Sequence, residues 1–169
     1  MPLPIAHGLV GASLVSLIHP TANSKNWKPL LIGFVLANSP DLDFAGSIFF
    51  GLHGFHRGFI HSLFFAVLVA GLIFILLRKN NLLIPLAYSA AFFSHTILDY
   101  ITAKSGGVRL FSPFDYTAYK LGLISFSELT RGIIFSDIFY FSLFEILVLV
   151  PLFLTAIFIV KKKNLFSNS

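Results

Sequence analysis

At 169 residues the chain has room for one domain, and 56% hydrophobic with 11% charged residues and a mean hydropathy of +0.86 exclude an ordinary water-soluble globular protein. Twenty-one Phe argue for lipid contact, and the absence of Cys excludes disulfides, thiolate zinc sites and cysteine nucleophiles together. The formal net charge of +5 sits at the ends of apolar segments and not along one polar face, which speaks for membrane topology and against nucleic acid as a partner.

The first apolar segment runs from Ile5 to Ile18 and carries His7 near its start. It falls short of the roughly 20 residues that cross a bilayer. The preceding residues lack a basic n-region, so no removable signal peptide is read there. Gly8 and Gly11 give this segment a face on which another helix can pack closely. A polar connection, His19 to Lys28, leads to a second short segment, Pro29 to Ala37, which stops at Asn38-Ser39-Pro40 because proline cannot continue a helix. These two segments are expected to pair as a hairpin that crosses only partly.

The stretch from Asn38 to Ser62 places two aspartates, Asp41 and Asp43, and three histidines, His53, His56 and His61, in a chain that has only seven acidic residues. Phe59 to Leu77 then reads as a membrane span, and Arg78 to Asn81 as a polar turn. Leu82 to Thr102 returns at near-spanning length, with His95 and Asp99 at its far end. Ala103 to Gly132 reads as a mixed loop, and Ile133 to Val160 as a last span closed by Lys161-Lys162-Lys163. The expected architecture is all-α: a polytopic membrane protein of about five apolar helices in a single integral membrane domain over residues 1–169, without internal repeats.

Basic residues set the expected topology. The Lys25/Lys28 connection, the Arg78-Lys79 turn and the lysine tail contain no acid and belong in the cytoplasm, which puts the C-terminus there too. His7, the Asn38 to Ser62 stretch and the His95/Asp99 end then meet the outer face of the inner membrane. These separate pieces of chain deliver their ionisable groups to one layer.

Spacing within those pieces suits ligation. His95 and Asp99 are four apart and share one face of a helix. Gly54 and Gly58 place His56 in the entry loop and His61 in the first turn of the span, and Asp41 and Asp43 follow Pro40 in a turn where both carboxylates can point one way. Singly, each has a plainer role. Asp41 or Asp43 is a helix cap, His61 an interfacial histidine, His19 structural, Arg57 a headgroup anchor, and Asp137 and Glu145 outer partners of the site. Together they need a common partner, because burying unpaired ionisable groups near a bilayer costs kilocalories apiece. Imidazole and carboxylate ligands suit Zn²⁺, with Mn²⁺ or Fe²⁺ as alternatives, and such an ion activates water. Asp41 or Asp43 is the expected bridging ligand or general base, and Arg57, followed by Arg109, the grip on a substrate phosphate.

The succession of His7, SPDLD (39–43), HRGFIHS (56–62), SHTILDYIT (94–102) and GVRLFSPF (107–114) resembles the YdjM-like family of membrane-bound, metal-dependent hydrolases. That family is grouped with the zinc-dependent phospholipase C and nuclease superfamily, helical proteins that hold a zinc cluster with His and Asp and cleave phosphoesters. The resemblance implies His7, Asp41, Asp43, His56, His61, His95 and Asp99 as metal ligands or their immediate neighbours, holding one to three ions. The expected function is hydrolysis of a phosphoester in an amphiphilic, lipid-like substrate. A protein that binds or transports a divalent cation without catalysis is the alternative from another class, and a metal-free membrane scaffold the third.

Overall fold

Where the sequence turns apolar the chain turns helical, and proline and serine decide where each helix stops. The computed structural model describes residues 4–22, 25–43, 57–77, 81–103 and 106–122, with further helical positions between 143 and 159. Its elements in chain order are α1 (Pro4–Ile18), α2 (Lys28–Asn38), a 3-10 turn (Ser39–Asp41), a second 3-10 turn (Phe59–His61), α3 (Leu63–Leu77) and α4 (Leu83–Thr102). The helical positions between 143 and 159 fall within the last expected span. The rest of that span and the loop from 123 to 132 lie outside the described residues. Among the described residues the only β pairing is an isolated bridge between Val108 and Tyr119.

Helix α4 is central and touches α1, α2 and α3. The core it shares with α1 and α2 is built mostly of small side chains: Ala12, Val15, Ala22, Leu30, Ala87, Tyr88 and Ala91, with Phe153 and Ile157 packing on from the C-terminal segment. Small residues matter because they let backbones approach. Gly11 of α1 and Gly33 of α2 face each other so closely that a Cβ on Gly11 would lie 2.6 Å from the Gly33 carbonyl oxygen and run into the Ala37 methyl. A Cβ on Gly33 would stand 2.5 Å from a methyl of Val15. This contact ties α1, which carries His7, to α2, which ends at the aspartates.

The expected span from Phe59 to Leu77 is corrected at its start. Ser62 takes an extended conformation (ψ 154°) that ends the 3-10 turn, and its hydroxyl accepts the Phe65 N–H at 3.1 Å, capping a new helix. Helix α3 is therefore 15 residues, or about 22 Å, and it is apolar throughout with Ala66 buried. Its neighbour α4 has 20 residues but devotes a stripe to buried Ser89, His95, Thr96, Asp99 and Thr102. Among the described residues no helix is both long and apolar enough to cross a membrane. The apolar surface is nonetheless extensive: Leu31, Ile32 and Val35 of α2 and Val67, Leu68, Leu72, Ile75 and Leu76 of α3 all point outward.

The segment 106–122 straps the polar end of the bundle. Val108 and Tyr119 exchange backbone hydrogen bonds of 2.8 and 2.9 Å, Leu121 N–H donates to Tyr100 O at 2.8 Å, and Leu63 N–H to Leu110 O at 2.9 Å. Gly107 (φ +68°) makes the first pairing possible, since a Cβ there would lie 2.8 Å from the Tyr119 carbonyl oxygen. The turn that leads into His61 is thereby fixed from outside the helices.

Gly11→Ala is expected to wedge α1 from α2 at an overpacking cost of about 1–3 kcal/mol, lowering the unfolding midpoint in detergent. Gly71→Ala meets nothing within 4 Å, and is expected to be neutral or stabilising by about 0.5–1 kcal/mol through helix propensity. Thermal unfolding of both variants beside the parent checks the pair, and equal destabilisation by the two would contradict the packing described.

Candidate metal centre

Four pieces of chain meet where α1 begins and α4 ends. His7 enters from the first turn of α1, His95 and Asp99 from consecutive turns of α4, Asp41 from the 3-10 turn after α2, and His61 from the 3-10 turn before α3. Pro40 removes a backbone donor just after α2 and helps to tighten the chain into the turn that carries Asp41. His7, His61, His95 and Asp99 are wholly buried. Asp41 keeps 22% of its side chain accessible, which makes its flank the approach to the cluster.

The distances are those of a metal cradle. His61 Nε2 lies 3.4 Å from Asp41 Oδ1 and 3.8 Å from Asp99 Oδ2, while His95 Nε2 lies 3.5 Å and 3.8 Å from the same two oxygens. Zinc bonds of about 2.0–2.1 Å, arranged tetrahedrally, set ligand atoms about 3.4 Å apart. Four edges of such a tetrahedron are present to within a few tenths of an ångström. Direct hydrogen bonds prefer about 2.7–3.2 Å, so these atoms are placed less well for one another than for an ion between them. His95 Nε2 and both oxygens of Asp99 are buried without a hydrogen-bond partner among the described residues, a costly arrangement for polar atoms that a cation relieves.

Outer contacts aim the ligand atoms. His95 Nδ1–H donates to the Ala37 carbonyl at 2.8 Å, which leaves the Nε2 lone pair directed inward. His61 Nδ1 lies 3.4 Å from Asp43 Oδ2, a carboxylate behind an imidazole of the kind that orients metal-binding histidines. The ring of His7 stacks on that of His95 with centroids 4.0 Å apart, and His7 Nε2 is 3.5 Å from Asp99 Oδ1.

Charge in the two turns is shifted accordingly. Burial alone would raise the Asp41 carboxyl, but its hydrogen bond to His61 and the nearby His95 and His7 hold it below the ordinary carboxylate range. Burial alone would lower His61, yet the carboxylates of Asp41 and Asp43 bring it up to about 9.

The structure brings together His7, Asp41, Asp43, His61, His95 and Asp99 of the residues singled out in the sequence. His56 lies outside the described residues, as do His53, Asp137 and Glu145. Arg57 stands at the head of the His61 turn with a left-handed backbone (φ 61°), and its carbonyl accepts the Arg109 N–H at 3.2 Å. Its guanidinium reaches Gly106, where a Cβ would lie 3.6 Å from Nη1. His19 sits at the far end of α1, against Tyr88, with ring centroids 5.5 Å apart. The Ala37 carbonyl escaped sequence reasoning because a backbone acceptor has no residue signature.

Fold and site define a class: an all-helical protein, apolar on its outside, with a buried imidazole and carboxylate cluster able to hold a metal ion. Within that class, the chain matches the family model of the YdjM inner membrane protein over residues 1–165 and belongs to that family, which makes it a membrane protein. No curated protein and no solved structure matches it.

A cation held at this cluster would compete with a proton for His61. In the metal-free protein the proton's stabilising contribution is fully present below the free imidazole value of 6.5 and is lost as pH rises through about 9. Metal uptake near neutral pH is therefore expected to release a proton, with affinity climbing towards pH 9. Zinc titration calorimetry in buffers of different ionisation enthalpy measures this, and a pH-independent affinity without proton release would contradict it.

Proposed function

We propose that this chain is a membrane-embedded, metal-dependent hydrolase acting on a phosphoester of an amphiphilic, lipid-like substrate. The observation that carries the reading is the convergence of His61 Nε2, His95 Nε2, Asp41 Oδ1 and Asp99 Oδ2 at tetrahedral-edge separations of 3.4–3.8 Å. Two imidazoles and two carboxylates suit Zn²⁺, with Mn²⁺ and Fe²⁺ as alternatives. When bound, such a cation supplies Lewis acidity, lowering the pKa of water towards about 7 and neutralising charge on a phosphoryl group.

The chain's own residues supply the rest. Asp41 is the accessible member of the four, so water and substrate arrive along its flank, where its second oxygen can take a proton. Asp43 holds the His61 ring in register from behind. Arg57 precedes His61 by four residues on a turn clamped by Arg109 and offers a two-pronged donor for a substrate phosphate. Membrane-family membership and the exposed aromatic residues of the strap support an amphiphilic substrate. Phe114 is 79% exposed and in edge contact with Phe64, and Tyr116 lies under the Arg109 guanidinium at 6.0 Å. Kinship with the zinc-dependent phospholipase C superfamily is part of this proposal.

One feature favours a second reading. Four protein donors close a zinc sphere, which is the pattern of structural sites, whereas catalytic sites keep a position open. A protein that binds or conducts a divalent cation without turnover would use such a closed cluster. Hydrolysis of a phospholipid or polyprenyl phosphate in mixed micelles by the zinc-loaded protein separates the two. Asp41→Asn and His61→Ala are expected to drop turnover to background, and Asp43→Asn to reduce it by about 10- to 100-fold. Turnover that survives Asp41→Asn would sink the hydrolase, and zinc flux in proteoliposomes abolished by the same variants would establish the transporter.

A further inference from the structure

Between the start of α1 and the end of α2 lies an apolar groove that the cluster itself does not use. Its volume is about 290 Å³, and Pro4, Phe34, Val35, Asn38, Ser39 and Leu42 line it. Two of these are polar, but both turn to the backbone. Asn38 Nδ2 donates to the Phe34 carbonyl at 2.8 Å, and the Ser39 hydroxyl donates to the Leu36 carbonyl at 2.7 Å. The surface that the described residues leave to the groove is apolar. Phe34 can form its wall because it lies over Gly8, where a Cβ would run into the ring. The missing side chain one residue after His7 thus sets the place of the ring.

Two features of the lining say what fits there. Val35 is 56% exposed and belongs to the outward apolar face of α2 with Leu31 and Ile32, so the groove is continuous with the surface that suits the membrane setting of the family. Ser39 and Leu42 lie in the turn that carries Asp41, the member of the cluster with an accessible flank. An occupant therefore meets hydrocarbon along α2 and a polar, cation-capable site beyond the turn. A volume near the lower bound of ligand pockets, roughly 300–1,000 Å³, suits one slender chain.

We propose that this groove holds a hydrocarbon chain of a phosphate-bearing lipid, which enters from the bilayer past Val35 and sets its head beside Asp41. The proposal rests on the lipid-phosphoester reading above and assigns the substrate's apolar part a place. Phe34 and Val35 are positioning residues in this account, gripping the chain and leaving the chemistry to the cluster.

The test uses the zinc-loaded full chain in detergent and hexadecyl phosphate carrying a mid-chain diazirine, with photolabelled residues located by mass spectrometry and phosphate release followed separately. Label is expected on residues 34–42, displaced by unlabelled hexadecyl phosphate and not by butyl phosphate at the same concentration. Val35→Trp, which fills the groove from its exposed side, is expected to cut that labelling about tenfold, the loss of roughly two buried methylenes. Leu72→Trp, on the outward face of α3, is expected to leave it unchanged. Label spread evenly over the outward faces of α2 and α3, or displaced equally by butyl phosphate, overturns the proposal in the parent protein without any variant. Equal labelling of the Val35→Trp and Leu72→Trp proteins overturns it as well. Groove labelling without phosphate release leaves the groove standing and removes the hydrolase reading, and phosphate release with evenly spread label does the reverse.

Discussion

The architecture depends on the cost of burying Asp99. A carboxylate with no accessible surface and no hydrogen-bond partner among the described residues cannot be held charged in a bundle of alanine, valine and phenylalanine unless positive charge comes to it. Three imidazoles surround it, from α1, from the turn before α3 and from α4 itself. Imidazoles at 3.5–3.8 Å are too distant to settle the account by hydrogen bonds alone. A cation at their centre answers the same need at the observed spacing.

That requirement explains features remote from the cluster. Helices α1 and α2 must lie close for His7 and Asp41 to reach the same carboxylate, and Gly11 and Gly33 permit it. The chain must leave α2 sharply for Asp41 to turn inward, and Pro40 provides for this. The entry to α3 must hold His61 inward while the helix itself faces outward. Ser62 separates the two directions, and the 106–122 strap pins the turn through Arg109 and Leu110. The apolar outer faces of α2 and α3 fit the membrane setting of the family, and the polar site sits at one end of a bundle with an apolar exterior.

Much of this was legible in the residues. Apolar runs bounded by proline and polar turns gave α1, α2 and α4 to within a residue or so, and Gly8 and Gly11 announced a close helix neighbour. The four-residue spacing of His95 and Asp99 put them on one face of α4. The start of α3 was harder, because Phe59 to Leu77 is apolar enough to read as one segment, and only the conformation of Ser62 divides it. Spacing also could not separate Asp41 from Asp43. Both lie beside His61, and which oxygen meets which ring nitrogen depends on the ring's orientation, fixed only once the turns have packed. The strap's pairing of Val108 with Tyr119 joins backbone groups and has no side-chain pattern to betray it.

The central claim, that a cation sits among side chains of distant sequence, is tested most directly by anomalous diffraction from crystals of the purified full chain, recorded across the zinc, iron and manganese edges. A peak is expected between His61 Nε2, His95 Nε2, Asp41 and Asp99, with bonds of about 2.0–2.2 Å. A well-resolved cluster without an anomalous peak after metal loading, or a peak at another place in the molecule, would contradict it.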